Sequence, residues 1–289
     1  MKPSSKSLWV AAALLAMAGS AQAEASPKHE AKPAPETEAK APREKSDPEK
    51  MSVDDIRSCM RDNLVVRGSL RELNVKASDR EGQTHEIKMK LFWKPGKDGL
   101  ARMNLRVLEP ADLHGSSYLL LEKEKGEDVY FFLPANKTVL KVTGNEMTRP
   151  LWGTDFSYTE IKQVQGLLLD GMTKRLPDAT VADRQTFALE TATKSETTGY
   201  KKVVSYVDQA SCTLIKSEFF AKGTKPRKVL EADLATLMQV DTYWLVLGYK
   251  MSNLAEGSHT DLTMGDLFLL ESKSEKLFDP EQFFQAPSN

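Results

Sequence analysis

From residue 64 to residue 271 the chain is a succession of short runs in which apolar and polar residues alternate, broken at hairpin spacing by glycine, proline, asparagine and aspartate. A side-chain period of two marks strands with one buried face. Connections this short permit only antiparallel pairing, because parallel neighbours need a long crossover. Leu64, Val66, Gly68 and Leu70 form one such run, and Leu73, Val75 and Ala77 continue it on the opposite parity, which predicts a bulge near Glu72. Ile87, Met89, Leu91 and Trp93 alternate with lysines, and Met103, Leu105 and Val107 follow after the turn Pro95–Gly99. Further strands are predicted over 117–123, 129–133, 138–143, 180–193, 200–208, 213–222, 227–237, 243–253 and 259–271. Residues 144–179 are the one long interruption, expected as helix and loop lying across the sheet. Ahead of the first strand, Val53, Ile56, Met60 and Leu64 fall at helical spacing, with Ser52 placed as the cap and Asp55 at the third helical position.

Some strands are apolar on both parities: Tyr118–Leu121, Val129–Leu133, Tyr243–Leu247 and Leu267–Leu270. A strand of that kind must be covered on both faces. One cover is expected to be a helix, and the other either a packed core or a cavity filled by something apolar. A barrel embedded in an outer membrane is the rival architecture. Lys88, Lys90 and Lys94 share one strand face, Lys216 and Glu218 another, and a lipid-facing belt would have to exclude such charges.

The first residues have another purpose. Lys2 and Lys6 precede the apolar stretch Leu8–Ala18, and Ala21-Gln22-Ala23 supplies small residues at the positions a signal peptidase reads. Residues 1–23 are therefore expected to be a signal peptide cleaved after Ala23, placing the protein in the periplasm. Residues 24–50 contain no Leu, Ile, Val, Phe, Tyr or Trp and five of the fourteen prolines. Nothing there offsets chain entropy, so a disordered tether is expected, with the folded domain over 51–289.

Forty Lys+Arg against 41 Asp+Glu leave a net charge of −1, which offers no basic face to a nucleic acid. Two Cys and four His are too few for a metal cluster, and no cofactor is expected. The nucleophile elbow, the phosphate loop, the dinucleotide fingerprint and the zinc-protease motif are absent. Ser116 and Ser117 beside His114 make a nucleophile–base pair in sequence only, so the chain is expected not to be an enzyme.

Three strings in order carry a family resemblance: Gly115-Ser116-Ser117-Tyr118-Leu119-Leu120-Leu121-Glu122, then Tyr130-Phe131-Phe132-Leu133-Pro134, then Leu151-Trp152-Gly153-Thr154-Asp155-Phe156-Ser157-Tyr158. Together they resemble the LolA-like outer membrane lipoprotein-sorting family over about residues 54–284. The resemblance implies a mainly β (α+β) fold, an incomplete antiparallel barrel of about 11–12 strands wrapped round a few helices, with an apolar cavity that shields an acyl chain. It implies a lipid or lipoprotein acyl chain as ligand and an inner-membrane RND/MMPL permease as donor, and the chain is expected as a monomer. Thr159-Glu160 departs from the family pattern after the tyrosine, and the arginine of LolA's release cycle has no assigned counterpart.

Cys59 and Cys212, the only two cysteines, fall where family members often carry Cys. An oxidising compartment predicts that they pair, the alternative being two separately buried thiols. Trp152–Tyr158 is expected to form a wall or lid of the cavity, with Gly153, Thr154, Asp155 and Ser157 fixing its backbone. Trp152, Phe156 and Tyr158 would face ligand together with Tyr118, Leu120, Tyr130 and Phe132, leaving Phe156 at a rim. The alternative is that these aromatics only plug the barrel end. The leading function is a periplasmic carrier of a lipid or lipoprotein. An accessory subunit of a permease comes second, and a hydrolase of envelope lipid third.

Overall fold

The structure, a computed structural model, describes residues 47–64, 68–270 and 274–285. The predicted leader, the tether as far as residue 46, and Val66 lie outside them. Helix α1 (Val53–Asp62) has the predicted cap. Ser52 Oγ accepts from the Asp55 N–H at 3.2 Å, and the Asp55 carboxylate accepts from the Ser52 N–H at 2.8 Å. The Ser52 hydroxyl at 2.7 Å and the Ser52 N–H, both donating to the Asp55 carboxylate, hold its pKa below the usual carboxylate value. The face carrying Ile56 and Met60 is buried. Pro48–Lys50, expected inside the tether, instead forms a 3₁₀ turn, and Arg175 donates to the carbonyls of Pro48, Glu49 and Met51.

The strands are β1 (Ser69–Ser78), β2 (Thr84–Pro95), β3 (Ala101–Glu109), β4 (Ser117–Glu122), β5 (Glu127–Leu133) and β6 (Thr138–Val142) in the first half. The second half holds β7 (Met172–Arg175), β8 (Ala179–Val181), β9 (Arg184–Ala192), β10 (Lys202–Asp208), β11 (Leu214–Phe220) and β12 (Lys228–Ala232). It continues with β13 (Leu237–Val240), β14 (Tyr243–Val246), β15 (Gly248–Asn253), β16 (Ser258–Met264) and β17 (Phe268–Leu269). Among the described residues a 15-stranded sheet runs β6-β5-β4-β3-β2-β1-β16-β15-β12-β11-β10-β9-β7, with β17 beside β1 and β8 beside β9. The sheet exceeds the expected dozen by the short β7, β8 and β17, and β13 and β14 form a separate two-stranded hairpin outside it.

The path is an up-and-down meander joined into a ring by its first and last long strands, with Leu73 opposite Met264. Its two free edges, β6 and β7, are consecutive in the chain, so the barrel is incomplete at the one long interruption. That connection lacks the α-helix the sequence suggested. It contains 3₁₀ turns at Gly144–Thr148 and Ile161–Gln165, then enters β7. Pro150 and left-handed glycines at 153 and 166 stop any longer helix from propagating.

Two hydrophobic clusters occupy the two sheet faces. The inner cluster takes Leu73, Val75, Met89, Leu91, Met103 and Leu105 from the sheet, Ile56 and Met60 from α1, and Met147, Leu151, Phe156, Ile161, Val164 and Leu167 from the connection. The outer cluster takes Phe92, Leu119 and Phe132 from the opposite parity and is covered by Leu277, Phe278 and Phe283 near the C-terminus. Asn104 and Arg106 pin that strap by donating to the carbonyls of Leu277, Phe283 and Gln285. No bulge occurs at Glu72: β1 pairs with β2 without a break from Ser69 to Ser78. Leu70 simply faces outward under the second cover, which imitates a parity switch. The register breaks instead between Lys88 and Met89 and between Tyr206 and Val207.

Cys59 and Cys212 form a disulfide with Cα atoms 5.7 Å apart, tying α1 to the turn before β11. It spans a sequence separation of 153 residues. Loop closure of that size is worth at most about 5 kcal/mol in the unfolded state. The unreduced, denatured protein should label at no thiol, and Cys59→Ser should lower unfolding stability by about 2–5 kcal/mol in urea titrations. Labelling of two thiols would contradict the pairing.

Candidate functional site

The two ends of the barrel differ. At the end formed by Ala77–Ser78, Thr84–His85 and Asn253–Ser258, the segment Trp152–Tyr158 closes the interior beneath a polar cleft of about 570 Å³. Its turn needs two successive left-handed residues, Trp152 (φ 49°) and Gly153 (φ 73°). The Leu151 N–H donates to the Phe156 carbonyl at 2.7 Å, and Thr154 Oγ1 donates to the Leu151 carbonyl at 2.8 Å. Thr154 bonds the turn to itself, and Gly153 takes the left-handed position. Asp155 acts at longer range. Its carboxylate accepts from Ser258 Oγ (2.5 Å) and Thr260 Oγ1 (2.9 Å), stitching the segment to β16. Ser157 Oγ lies 3.2 Å from Thr159 Oγ1.

Phe156 is 1% exposed and part of the inner core. It does not stand at a rim, so the expectation of a lid residue free to touch ligand is corrected: here the aromatic is a plug. Tyr158 packs edge-on to Phe131, and Trp152 lies 5.8 Å from the same ring. Tyr118 Oη donates to the Tyr158 carbonyl at 2.9 Å. Burial pushes the Tyr158 phenol up to about 12. Tyr118 and Leu120 face inward with this group, but Tyr130 and Phe132 do not. They belong to the outer cluster beneath the strap, and Val129 and Phe131 take the inward positions of β5. Both parities of β5 are apolar, so alternation could not assign its faces.

The polar centre of the plug was not anticipated. Glu160 is 0% exposed, and its carboxylate accepts from the Ser157 N–H (2.8 Å), from Lys228 Nζ (3.1 Å) and from Tyr200 Oη. Lys228 Nζ also donates to the Asp155 carbonyl at 2.7 Å. Burial and the neighbouring Glu160 push the Tyr200 phenol far above its ordinary value. The one available signal was Lys228 itself, which shares the inward parity of β12 with Leu230.

The other end, at Ser69–Arg71, Leu91–Trp93 and Met264, holds a small, partly open cavity of about 70 Å³. Leu91, Trp93, Val164, Val246, Tyr249 and Met264 line it, together with Arg71 and the disulfide residue Cys212. The β13–β14 hairpin lies over it through Trp244, Leu245 and Val246. The side chain of Asn63, just beyond α1, holds that hairpin: its Oδ1 accepts from the Trp244 N–H at 3.0 Å, and its Nδ2 donates to the Ser211 carbonyl at 2.6 Å. Exposed apolar side chains cluster in these elements, Met238 and Val240 on the hairpin and Phe268 and Leu269 on β17 beside Ser69. A third, larger cleft of about 1000 Å³ opens near the sheet gap. Its walls carry charges of both signs, among them Arg57, Arg61, Lys123 and Asp128. The buried Lys162 bridges Glu127 and Asp170 there.

Ser116 and Ser117 are fully buried, and neither meets His114. The imidazole Nδ1 contacts the Leu108 carbonyl at 2.7 Å, and Ser117 Oγ donates to the Gly115 carbonyl. Among the described residues no group of three His, Cys, Asp or Glu could hold a metal ion, and no helix is long and apolar enough to cross a membrane.

A family model described as an uncharacterized protein matches residues 99–284. No curated protein matches the chain. Among solved structures, a domain from Vibrio parahaemolyticus assigned to outer membrane lipoprotein sorting is 21% identical, with 83% of this chain and 100% of that one aligned at a TM-score of 0.70. A DUF1329 family protein from Desulfovibrio piger is also 21% identical, covering 78% of this chain and 95% of that one at a TM-score of 0.68. A LolA superfamily protein from Nitrosomonas europaea is 15% identical, covering 79% and 98% at a TM-score of 0.62. At these identities the likeness is one of fold, the incomplete LolA-type barrel.

Glu160→Ala would strand a buried ammonium and a phenol, so it should cost about 3–5 kcal/mol in chemical denaturation. Glu160→Met combined with Lys228→Met should cost less than the sum of the single changes. Additive losses would show that the two groups do not act as a pair. Phe156→Ala should cost about 3–5 kcal/mol, as truncation of a buried aromatic does, and a near-neutral change would contradict its place in the core.

Proposed function

The chain belongs to the uncharacterized-protein family whose model spans residues 99–284, and on that footing we propose that it is a periplasmic carrier which holds the acyl chain of a lipid or lipoprotein at the α1/β13–β14 end of its barrel. The observation that carries this reading is the apolar cavity there, roofed by a hairpin that is not hydrogen-bonded into the sheet. Each methylene held in water costs about 0.8 kcal/mol, so an acyl chain leaves a membrane only if an apolar enclosure receives it. The LolA-type fold of the solved structures supports the same role.

A cavity of about 70 Å³ is too small for an acyl chain. Pockets that take ligands of lipid size run to several hundred Å³, so the hairpin must lift for a chain to enter. Asn63 is the latch in this reading, because it bonds the hairpin backbone at Trp244. An acceptor on the outer membrane and a donor permease of the RND/MMPL type complete the proposed route, and the leader of residues 1–23 supplies the export.

One observation favours a second reading, an accessory subunit of such a permease without its own ligand: the barrel interior is plugged by the chain's own Phe156, Leu151 and Ile161. Native mass spectrometry of the mature protein purified from an envelope extract divides the two. The carrier should retain a lipid of acyl-chain mass, and the accessory subunit none. Asn63→Ala should also speed association of a fluorescent fatty-acid probe several-fold in stopped-flow measurements. Unchanged kinetics would mean that the hairpin is not the gate.

A further inference from the structure

On β1 the inward positions are Ser69, Arg71, Leu73, Val75 and Ala77. Four of them are apolar or small. The fifth is an arginine, 7% exposed, opposite Leu91 in the β1–β2 register and next to the Ser69–Trp93 pair. Its side chain lines the small cavity with Trp93, Trp244 and Met264. A guanidinium carries five N–H donors and stays charged, so its burial demands partners. Among the described residues no hydrogen bond or ion pair holds this one, and none of its nitrogens is buried without a partner, so the guanidinium head reaches water at the mouth while its stem is buried. Arg106, equally buried on the outer face, differs: its Nη2 donates to the carbonyls of Phe283 and Gln285, and its Nε and Nη1 are sealed from water without a partner. Burial draws the Arg71 pKa down, while the exposed Asp266 carboxylate acts in the opposite sense from outside.

Arg71 sits two residues in from Ser69, or about 7 Å at strand rise. A long side chain at that depth can meet a head group at the mouth while the apolar wall behind it receives the chain. We propose that Arg71 is the specificity residue of the cavity, accepting the carboxylate or phosphate monoester at the head of a single-chain amphiphile whose alkyl chain lies against Leu91, Trp93, Val164 and Met264. This rests on the carrier reading and narrows it, since an uncharged lipid would leave the guanidinium without a partner. A bidentate guanidinium–oxyanion pair out of water is the strongest charge-assisted contact the site can offer.

The test uses the mature wild-type protein and Arg71→Gln, with dodecanoate, dodecyl phosphate, dodecanol and inorganic phosphate as ligands in isothermal titration at pH 8. The wild type should bind at least one anionic amphiphile tenfold or more tightly than dodecanol, and inorganic phosphate more weakly than either anionic amphiphile. Whichever of dodecanoate and dodecyl phosphate binds more tightly identifies the head group as a carboxylate or a phosphate. In Arg71→Gln the preference should vanish, with dodecanol affinity within twofold of wild type. The ligand-free melting midpoint should stay level, because the substitution removes no hydrogen bond or ion pair of the fold. Equal wild-type affinities for anionic and neutral amphiphiles would overturn the proposal and leave the carrier intact. So would a melting midpoint lowered by several degrees, or failure of the variant to fold, since either makes Arg71 a structural residue. If no amphiphile binds the wild type, the carrier reading itself falls and this one with it.

Discussion

A sheet whose strands are apolar on both faces cannot end as one layer. β4 and β5 present Tyr118, Leu120, Val129 and Phe131 to the inside and Leu119, Tyr130 and Phe132 to the outside, and each set has to leave water. The chain meets both demands with its own irregular segments. The connection between the two sheet edges fills the concave side, and the residues around Phe278 and Phe283 cover the convex side. Curvature follows, because the same strands must wrap a finite filling on one face and stay under a thin strap on the other.

Irregular fillings carry unpaired backbone groups, and these need partners once buried. That explains the polar interior of the plug. Glu160 and Lys228 do for the connection what ladder bonds do for a strand, satisfying the Ser157 N–H and the Asp155 carbonyl respectively. Taking the two charges out of water is expensive, and such a pair is weak evidence for stability by itself. Its use is geometric: one arrangement of the segment pairs Glu160 with Lys228, and a shifted one would leave an ion bare.

Where the pattern in the sequence was one-sided, it located the structure well. Ser52 and Asp55 cap α1, Ile87–Trp93 point inward alternately, and Cys59 meets Cys212. Where both parities are apolar, period two carries no information about direction, and Tyr130 and Phe132 were assigned to the wrong face for that reason. Residues 144–171 have neither period because their contacts are long-range, as between Asp155 and Thr260. Glu160 and Lys228 read as two more charges in a chain rich in them, and only folding brings them together. Arg71 was hidden in the same way, as a charged residue next to an apparent parity break that proved to be Leu70 facing the second cover.

The seam between β1 and β16 has a bearing on how the molecule comes into being. Most ladders in the sheet are hairpins between chain neighbours and can form as soon as the second strand exists. The pairing of Leu73 with Met264 cannot. It closes nearly the whole length of the fold in one step, a slow loop closure on entropic grounds. The cover on the outer face comes later still in the chain, at Leu277–Phe283. A nascent chain therefore holds its first strands as an unfinished half-sheet, greasy on both sides, until its last residues arrive. For that interval both apolar faces and the open strand edges stand exposed, the condition under which a partly folded sheet pairs with other chains.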